Sequence, residues 1–122
     1  MRICVFGAGA IGCLFVALIK AAGAAKILVV EPSKARWGIA KAVGANETCT
    51  PDELDAVRAK VLPLGADLIV DAVGSQLGTA LEHAALGGRI VVFGQNANAK
   101  PPIKQFTITE KSPTVMGTYI TH

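Results

Sequence analysis

Residues Ile3-Cys4-Val5-Phe6-Gly7-Ala8-Gly9-Ala10-Ile11-Gly12-Cys13-Leu14-Phe15 decide the fold. The first four form an apolar run that stops at glycine, and beyond it Ile11, Leu14, Phe15, Leu18, Ile19 and Ala22 recur at helical i, i+3, i+4 spacing. The segment predicts a strand, a tight turn and a helix. A competing reading is a leader peptide or short membrane span, because no charge lies between Arg2 and Lys20. Against it, glycines at positions 7, 9 and 12 interrupt the stretch, and the same apolar texture returns at Ile27-Leu28-Val29-Val30, Leu68 to Val73 and Ile90 to Phe93.

Working outward, Gly23 closes the first helix, Ile27 to Val30 forms the next strand, and Glu31-Pro32-Ser33 breaks it, with Ser33 read as an N-cap. A second helix is expected from Lys34 to about Val43 with Gly44 as its stop, then a weak strand at Glu47 to Cys49. Thr50-Pro51-Asp52-Glu53 opens a third helix that runs to about Leu62, with proline at its start and acid in its first turn. The second half repeats the alternation: a strand at Asp67 to Asp71, a helix at Gln76 to Leu86, a Gly87-Gly88 turn and a strand at Arg89 to Phe93. From Gln95 to Pro113 the texture turns to Asn, Lys and Pro with one apolar cluster near Phe106, and a last strand follows from Thr114 to Ile120. Such alternation predicts an α/β fold with right-handed crossovers, a doubly wound six-stranded parallel sheet of order 3-2-1-4-5-6 and helices on both faces.

The chain has 122 residues, which suits one domain over residues 1–122. Its 52% hydrophobic content against 17% charged excludes intrinsic disorder, and the aliphatic bias suits strands buried on both faces. Twelve basic residues against nine acidic ones give +3, spread with no run of three, so no nucleic acid partner is expected. Nor is a membrane, and the expected location is the cytoplasm. Cys4, Cys13 and Cys49 are widely spaced without a CxxC pair, so neither a disulfide framework nor a zinc site is encoded. Cys4 and Cys13 read as buried filler. His83 reads as a helix-surface or capping residue with no catalytic role, and Asp71 as either a strand-end polar residue or part of the crevice.

Gly7-Ala8-Gly9-Ala10-Ile11-Gly12 is G-x-G-x-x-G placed directly after a strand and opening a helix, the context that gives this pattern meaning. Gly7 permits the tight turn, Gly9 lets a diphosphate approach the backbone, and Gly12 allows close helix-to-strand packing. The free N–H groups at the helix start stabilise the anion without a lysine. Gly12 is followed by Cys13, so a nucleoside-triphosphate P-loop is excluded. Glu31 ends the second strand 19 residues beyond Gly12, where its carboxylate can accept both hydrogens of an adenosine ribose diol. These are the signs of a Rossmann dinucleotide site, for NAD in preference to NADP, although Lys34 and Arg36 leave an opening for a 2′-phosphate.

Ala21 to Lys26, Ala40 to Ala45, Asp71-Ala72-Val73-Gly74-Ser75 and Gly87 to Gly94 together resemble the cofactor domain of the zinc-type medium-chain alcohol and polyol dehydrogenases, over nearly the whole chain. Val115 to Tyr119 is similar to that family's last sheet strand. The resemblance implies that Gly7, Gly9, Ala10, Ile11 and Gly12 lie on the pyrophosphate, Glu31 on the adenosine ribose with Arg36 beside it, and Pro32 and Val73 on either side of the adenine. It places Phe93, Gly94 and Gln95 at the nicotinamide ribose, and implies a homodimer joined through Thr114 to Ile120. Val73 and Phe93 read equally well as plain core packing.

Nothing here resembles the family's catalytic lobe, so zinc and the proton relay are expected outside these residues and the chain alone is expected to lack catalytic groups. Because Met1 immediately precedes the first strand, the chain reads as an excised or naturally separate domain. Its first fifteen residues also resemble ketopantoate reductases, a likeness that fades after Phe15. The alternatives to a dehydrogenase part are a freestanding dinucleotide-binding or redox-sensing module, or an assembly element.

Overall fold

The computed structural model describes residues 1–24 and 26–119. In chain order come β1 (Arg2–Phe6), α1 (Ala10–Ala21), β2 (Lys26–Val30), α2 (Trp37–Val43), β3 (Glu47–Cys49), α3 (Leu54–Val61), β4 (Ala66–Asp71), α4 (Leu77–His83), β5 (Ala84–Val92), α5 (Gln105–Lys111) and β6 (Thr114–Gly117). Short 3-10 turns, Lys34–Arg36 and Pro51–Glu53, lead into α2 and α3. The strands form one six-stranded sheet of order β3-β2-β1-β4-β5-β6. Every pairing is parallel, as the alternation predicts.

Side-chain alternation along the strands divides the core between the two faces of the sheet. Ile3, Val5, Ile27, Val29 and Val70 pack with Cys13 and Val16 of α1 and Ala40 of α2. Cys4, Phe6, Leu28, Val30, Cys49 and Ile69 pack on the other side with Leu54, Leu62, Ala80 and Leu81. Burial on both faces is why the strands read as unbroken apolar runs. Residues 3–19, which mimic a leader, are split by the glycine turn into β1 and α1. Among the described residues no helix is long and apolar enough to cross a membrane.

Six expectations need correction. α4 stops at His83, and β5 starts at Ala84 where a helix to Leu86 was expected. The Gly87-Gly88 pair lies inside β5, where the register jumps from Ala66 opposite Ala84 to Leu68 opposite Arg89. Gly87, at φ +72°, bends the strand there; a glycine pair that suits a turn suits a bulge equally. The polar stretch after Gln95 contains α5, ended by Ser112 in the left-handed region. Ser33 makes no side-chain cap, and β6 ends at Gly117, with Ile120 outside the described residues.

The sixth correction is His83, which is 4% exposed and so is no surface residue. Its Nδ1 accepts a hydrogen bond from Arg58 Nε at 3.1 Å, and its Nε2 lies 3.1 Å from Asp55 Oδ1. It fastens α4 to α3.

Candidate functional site at the carboxyl ends of the strands

β1 ends at Gly7, whose φ of +102° turns the chain sharply and whose N–H donates to Val30 O at 2.9 Å. At Gly12 a Cβ would sit 2.0 Å from Gly7 O, so α1 begins pressed against the strand end and only glycine fits. Gly9 is different. Its backbone, φ −74° and ψ −171°, is open to any residue, and the sole atom within 4 Å of a Cβ there is Arg36 Nη1, at 3.5 Å. Neither conformation nor protein packing calls for glycine at this position, which faces open space.

That space is a cavity of about 440 Å³ lined by Gly7, Gly9, Ala10, Ile11, Gly12, Glu31, Pro32, Arg36, Ala72 and Val73. It brings together all the residues expected at the pyrophosphate and adenosine, and adds Ala72. The N–H groups of Ala10, Ile11 and Gly12 form the first turn of a 12-residue helix, have no intrahelical acceptor, and give the cavity a positive end.

Glu31 is 4% exposed. Its Oε1 accepts the Ala8 N–H and its Oε2 the Ser33 N–H, each at 2.8 Å, and Arg36 Nη1 stands 3.7 Å from Oε1. A carboxylate offers two acceptor sites per oxygen, so each oxygen keeps one free. The Trp37 indole N–H donates to Glu31 O at 3.0 Å and holds the start of α2 against the end of β2. Nothing in the sequence pattern marks Trp37 for this work.

Asp71, left open by its sequence position, is a scaffold group. Buried at the end of β4, its Oδ1 accepts the N–H of Val73 and of Gly74, and its Oδ2 the N–H of Gln76. Its carbonyl accepts the N–H of Phe93 and of Gly94. The turn so held carries Val73 and Gln76 into a second, smaller cavity of about 100 Å³, lined by Phe6, Val30, Pro32, Pro51, Val73 and Gln76. Pro32 and Val73 belong to both cavities. Val73 is 45% exposed, which removes the core-packing reading for its side chain.

Phe93, Gly94 and Gln95 lie apart from the first cavity, in one of about 500 Å³ that they share with the end of β6, including Gly117, Thr118 and Tyr119. The Phe93 ring packs edge-on against Phe15, centroids 5.1 Å apart, so its side chain serves packing. A Cβ at Gly94 would lie 2.3 Å from Gly74 N, which presses the end of β5 onto the turn after β4. Thr118 and Tyr119 reach this cavity because β6 runs parallel to β5 and so finishes at the same end of the sheet.

The cysteines are filler. All three are buried; burial pushes the Cys4 thiol well above its ordinary range and the Cys49 thiol up to about 11, and Cys13 Sγ lies 3.4 Å from Ala8 O. Among the described residues no group of three or more His, Cys, Asp or Glu side chains could hold a metal ion.

Residues 10–122 match the family described as zinc-binding dehydrogenase. The chain belongs to this family. It is 30% identical over 120 residues to the L-threonine 3-dehydrogenase of Caldanaerobacter subterraneus, covering 94% of the chain and 35% of that protein. It superposes with TM-score 0.86 and 26% identity on a zinc-binding dehydrogenase of Sinorhizobium meliloti 1021 bound to NADP, covering 98% of the chain and 37% of the other. An equal TM-score and identity relate it to a short chain alcohol dehydrogenase of Escherichia coli CFT073 complexed with NADH, covering 96% and 36%. The chain therefore spans about a third of the length of these relatives and corresponds to the cofactor-binding domain of the family. A zinc-binding dehydrogenase implies zinc, but the described residues do not fit it: the three cysteines are buried and separated, and His83 is engaged with Arg58.

Proposed function

We propose that residues 1–122 are the nicotinamide-dinucleotide-binding domain of an enzyme that transfers hydride between that cofactor and an alcohol or polyol. The observation that carries this reading is Gly9, a glycine with an unremarkable backbone facing an open cavity at the start of α1. The first-turn N–H groups of Ala10, Ile11 and Gly12 receive the diphosphate. Glu31 accepts the adenosine ribose diol with the free lone pairs of its oxygens, Arg36 stands beside it, and Pro32 and Val73 close on the adenine. Phe93, Gly94 and Gln95 offer backbone to the nicotinamide ribose.

The cofactor, once bound, supplies the hydride chemistry; this domain binds and orients it. Zinc and the substrate-recognising groups belong to another segment of the enzyme. NAD is preferred to NADP, since a 2′-phosphate would meet the Glu31 carboxylate, and Arg36 is already turned toward that same group at 3.7 Å. Relatives complexed with NADP and with NADH leave this choice to the residues of the site itself. A homodimer joined through β6 and a cytoplasmic location, consistent with three unpaired buried thiols, complete the reading.

Isothermal titration of the chain with NAD and NADP tests it. NAD is expected to bind, and NADP more weakly. No binding of either would overturn the reading, and tighter binding of NADP would overturn the preference.

A further inference from the structure

The small cavity behind Pro32 and Val73 contains one polar side chain. Phe6, Val30, Pro32, Pro51 and Val73 are apolar; Gln76 is the exception. Apolar slots with a single placed polar group orient flat ligands, because the apolar walls accept any ring and the polar group favours one edge of it. Gln76 has no part in the core, and its place is set by the backbone. Its N–H donates to Asp71 Oδ2 at 2.9 Å, while Oδ1 of the same buried carboxylate accepts the N–H of Val73 at 2.9 Å. One anchor thus fixes both a wall of the slot and its polar group.

The amide itself is half committed. Gln76 Nε2 donates one of its two hydrogens to Ser75 Oγ at 3.0 Å, and Oε1 is the acceptor of the group. An acceptor on the side chain that lines an apolar slot favours a ring bearing a donor at its edge, and adenine has one in its 6-amino group. Hypoxanthine carries a carbonyl oxygen there instead and would meet Oε1 with like polarity.

We infer that Gln76 is the residue by which this site reads the purine, accepting a hydrogen bond from the 6-amino group of adenine. The inference rests on the proposed dinucleotide function and goes beyond it by naming which base the site selects and through which atom. Asp71 is the positioning residue for that contact.

The probe is nicotinamide hypoxanthine dinucleotide, in which a carbonyl oxygen stands in place of the 6-amino group and ring N1 carries a proton. By titration, the chain is expected to bind NAD about threefold to tenfold more tightly than the hypoxanthine analogue, the range of one neutral hydrogen bond. Gln76→Leu should bring the two ligands to parity. It leaves the main-chain bond to Asp71 in place and removes only the amide. Gln76→Glu, which keeps an acceptor oxygen, should retain the preference for NAD. Equal affinities in the parent chain, a preference that persists in Gln76→Leu, or a reversed preference in Gln76→Glu would each overturn the inference while leaving the cofactor reading intact. Failure of both dinucleotides to bind the parent chain would instead overturn the cofactor reading, and this inference with it.

Discussion

The Ala8 N–H donates to Glu31 Oε1 at 2.8 Å, so the glycine loop after β1 and the end of β2 converge on one buried carboxylate. Glu31 therefore has a structural task beside the recognition task proposed for it. It ties the loop through Ala8 and the α2 approach through Ser33, and it presents its remaining lone pairs to the cavity. Glu31→Ser should lower stability by about 2 kcal/mol through the loss of hydrogen bonds to a charged group. It should also narrow the gap between NAD and NADP, because the repulsive charge leaves while Arg36 remains. Denaturant unfolding together with titration of both dinucleotides checks both effects; a variant that keeps the full gap would remove Glu31 from ribose selection.

Gly9 and Gly12 should separate binding from folding. A side chain at Gly12 would collide with the Gly7 carbonyl, so Gly12→Ala should push α1 off the sheet and cost about 1–3 kcal/mol or more. Gly9→Val has room for its side chain in the cavity, so it should fold with little loss and fail to bind NAD. Circular dichroism and calorimetric titration of the two variants decide this. Normal NAD binding by a folded Gly9→Val would displace the site.

What the sequence made legible follows from how local each signal is. The Gly7 to Gly12 loop, the Glu31 strand end and the sheet order rest on short-range patterns that tertiary structure preserves. β5 escaped because Gly87 and Gly88 punctuate a strand and a turn in the same way, and only the pairing of Ala66 with Ala84 tells them apart. α5 escaped because its seven residues, with Phe106 and Ile108 exposed, carry weak amphipathic periodicity. His83 escaped because its burial depends on Arg58 and Asp55, which are distant in sequence. Gln76 and Pro51 escaped because the slot they line joins the starts of α4 and α3 to the ends of β1 and β2, a meeting that only the folded sheet produces.

Thr48 offers a gain. It is 7% exposed in β3, and its Oγ1 has no hydrogen-bond partner among the described residues. Thr48→Val replaces a buried, unpaired hydroxyl with a methyl group of similar size. It should stabilise the fold by about 1 kcal/mol, read as a raised denaturant midpoint at unchanged slope.

His83 makes stability depend on pH near neutrality. Burial first, and the Arg58 charge second, hold its pKa below the ordinary 6.5, against the opposing pull of Asp55 and Glu82. Nδ1 accepts from Arg58, so the neutral form with its proton on Nε2 fits, and protonation would set two donors against each other. The unfolded chain binds this proton more readily than the folded one. The contribution is therefore complete above pH 6.5 and is lost as pH falls from there through the folded pKa. Thermal midpoints should fall between about pH 7 and 5, and His83→Gln, which keeps an acceptor for Arg58, should flatten that part of the profile. An unchanged slope in the variant would assign the dependence to another group.

β6 closes the sheet at an open edge, the edge proposed to join two copies of the chain. Its four residues are all exposed, Val115 at 44% and Met116 at 36%, and β5 occupies only one side of its backbone. No charged residue follows Lys111 and no proline follows Pro113, so the devices that blunt an edge strand are missing. Phe106 and Ile108 of α5 and Tyr119 beyond β6 add exposed apolar surface. Pairing of this edge with its own copy about a two-fold axis would continue the sheet across two subunits and cover Val115 and Met116 in an isologous contact. Such an interface brings position 116 of one copy near the same strand of the other. Met116→Lys should then place two like charges at its centre and shift the dimer to monomer in sedimentation, while the fold, which leaves that side chain in solvent, keeps its thermal midpoint. Gly117→Glu, at a position where a Cβ meets nothing within 4 Å, should do the same. A parent chain that is monomeric at high concentration, or a dimer that survives both changes, would rule out this edge as the interface.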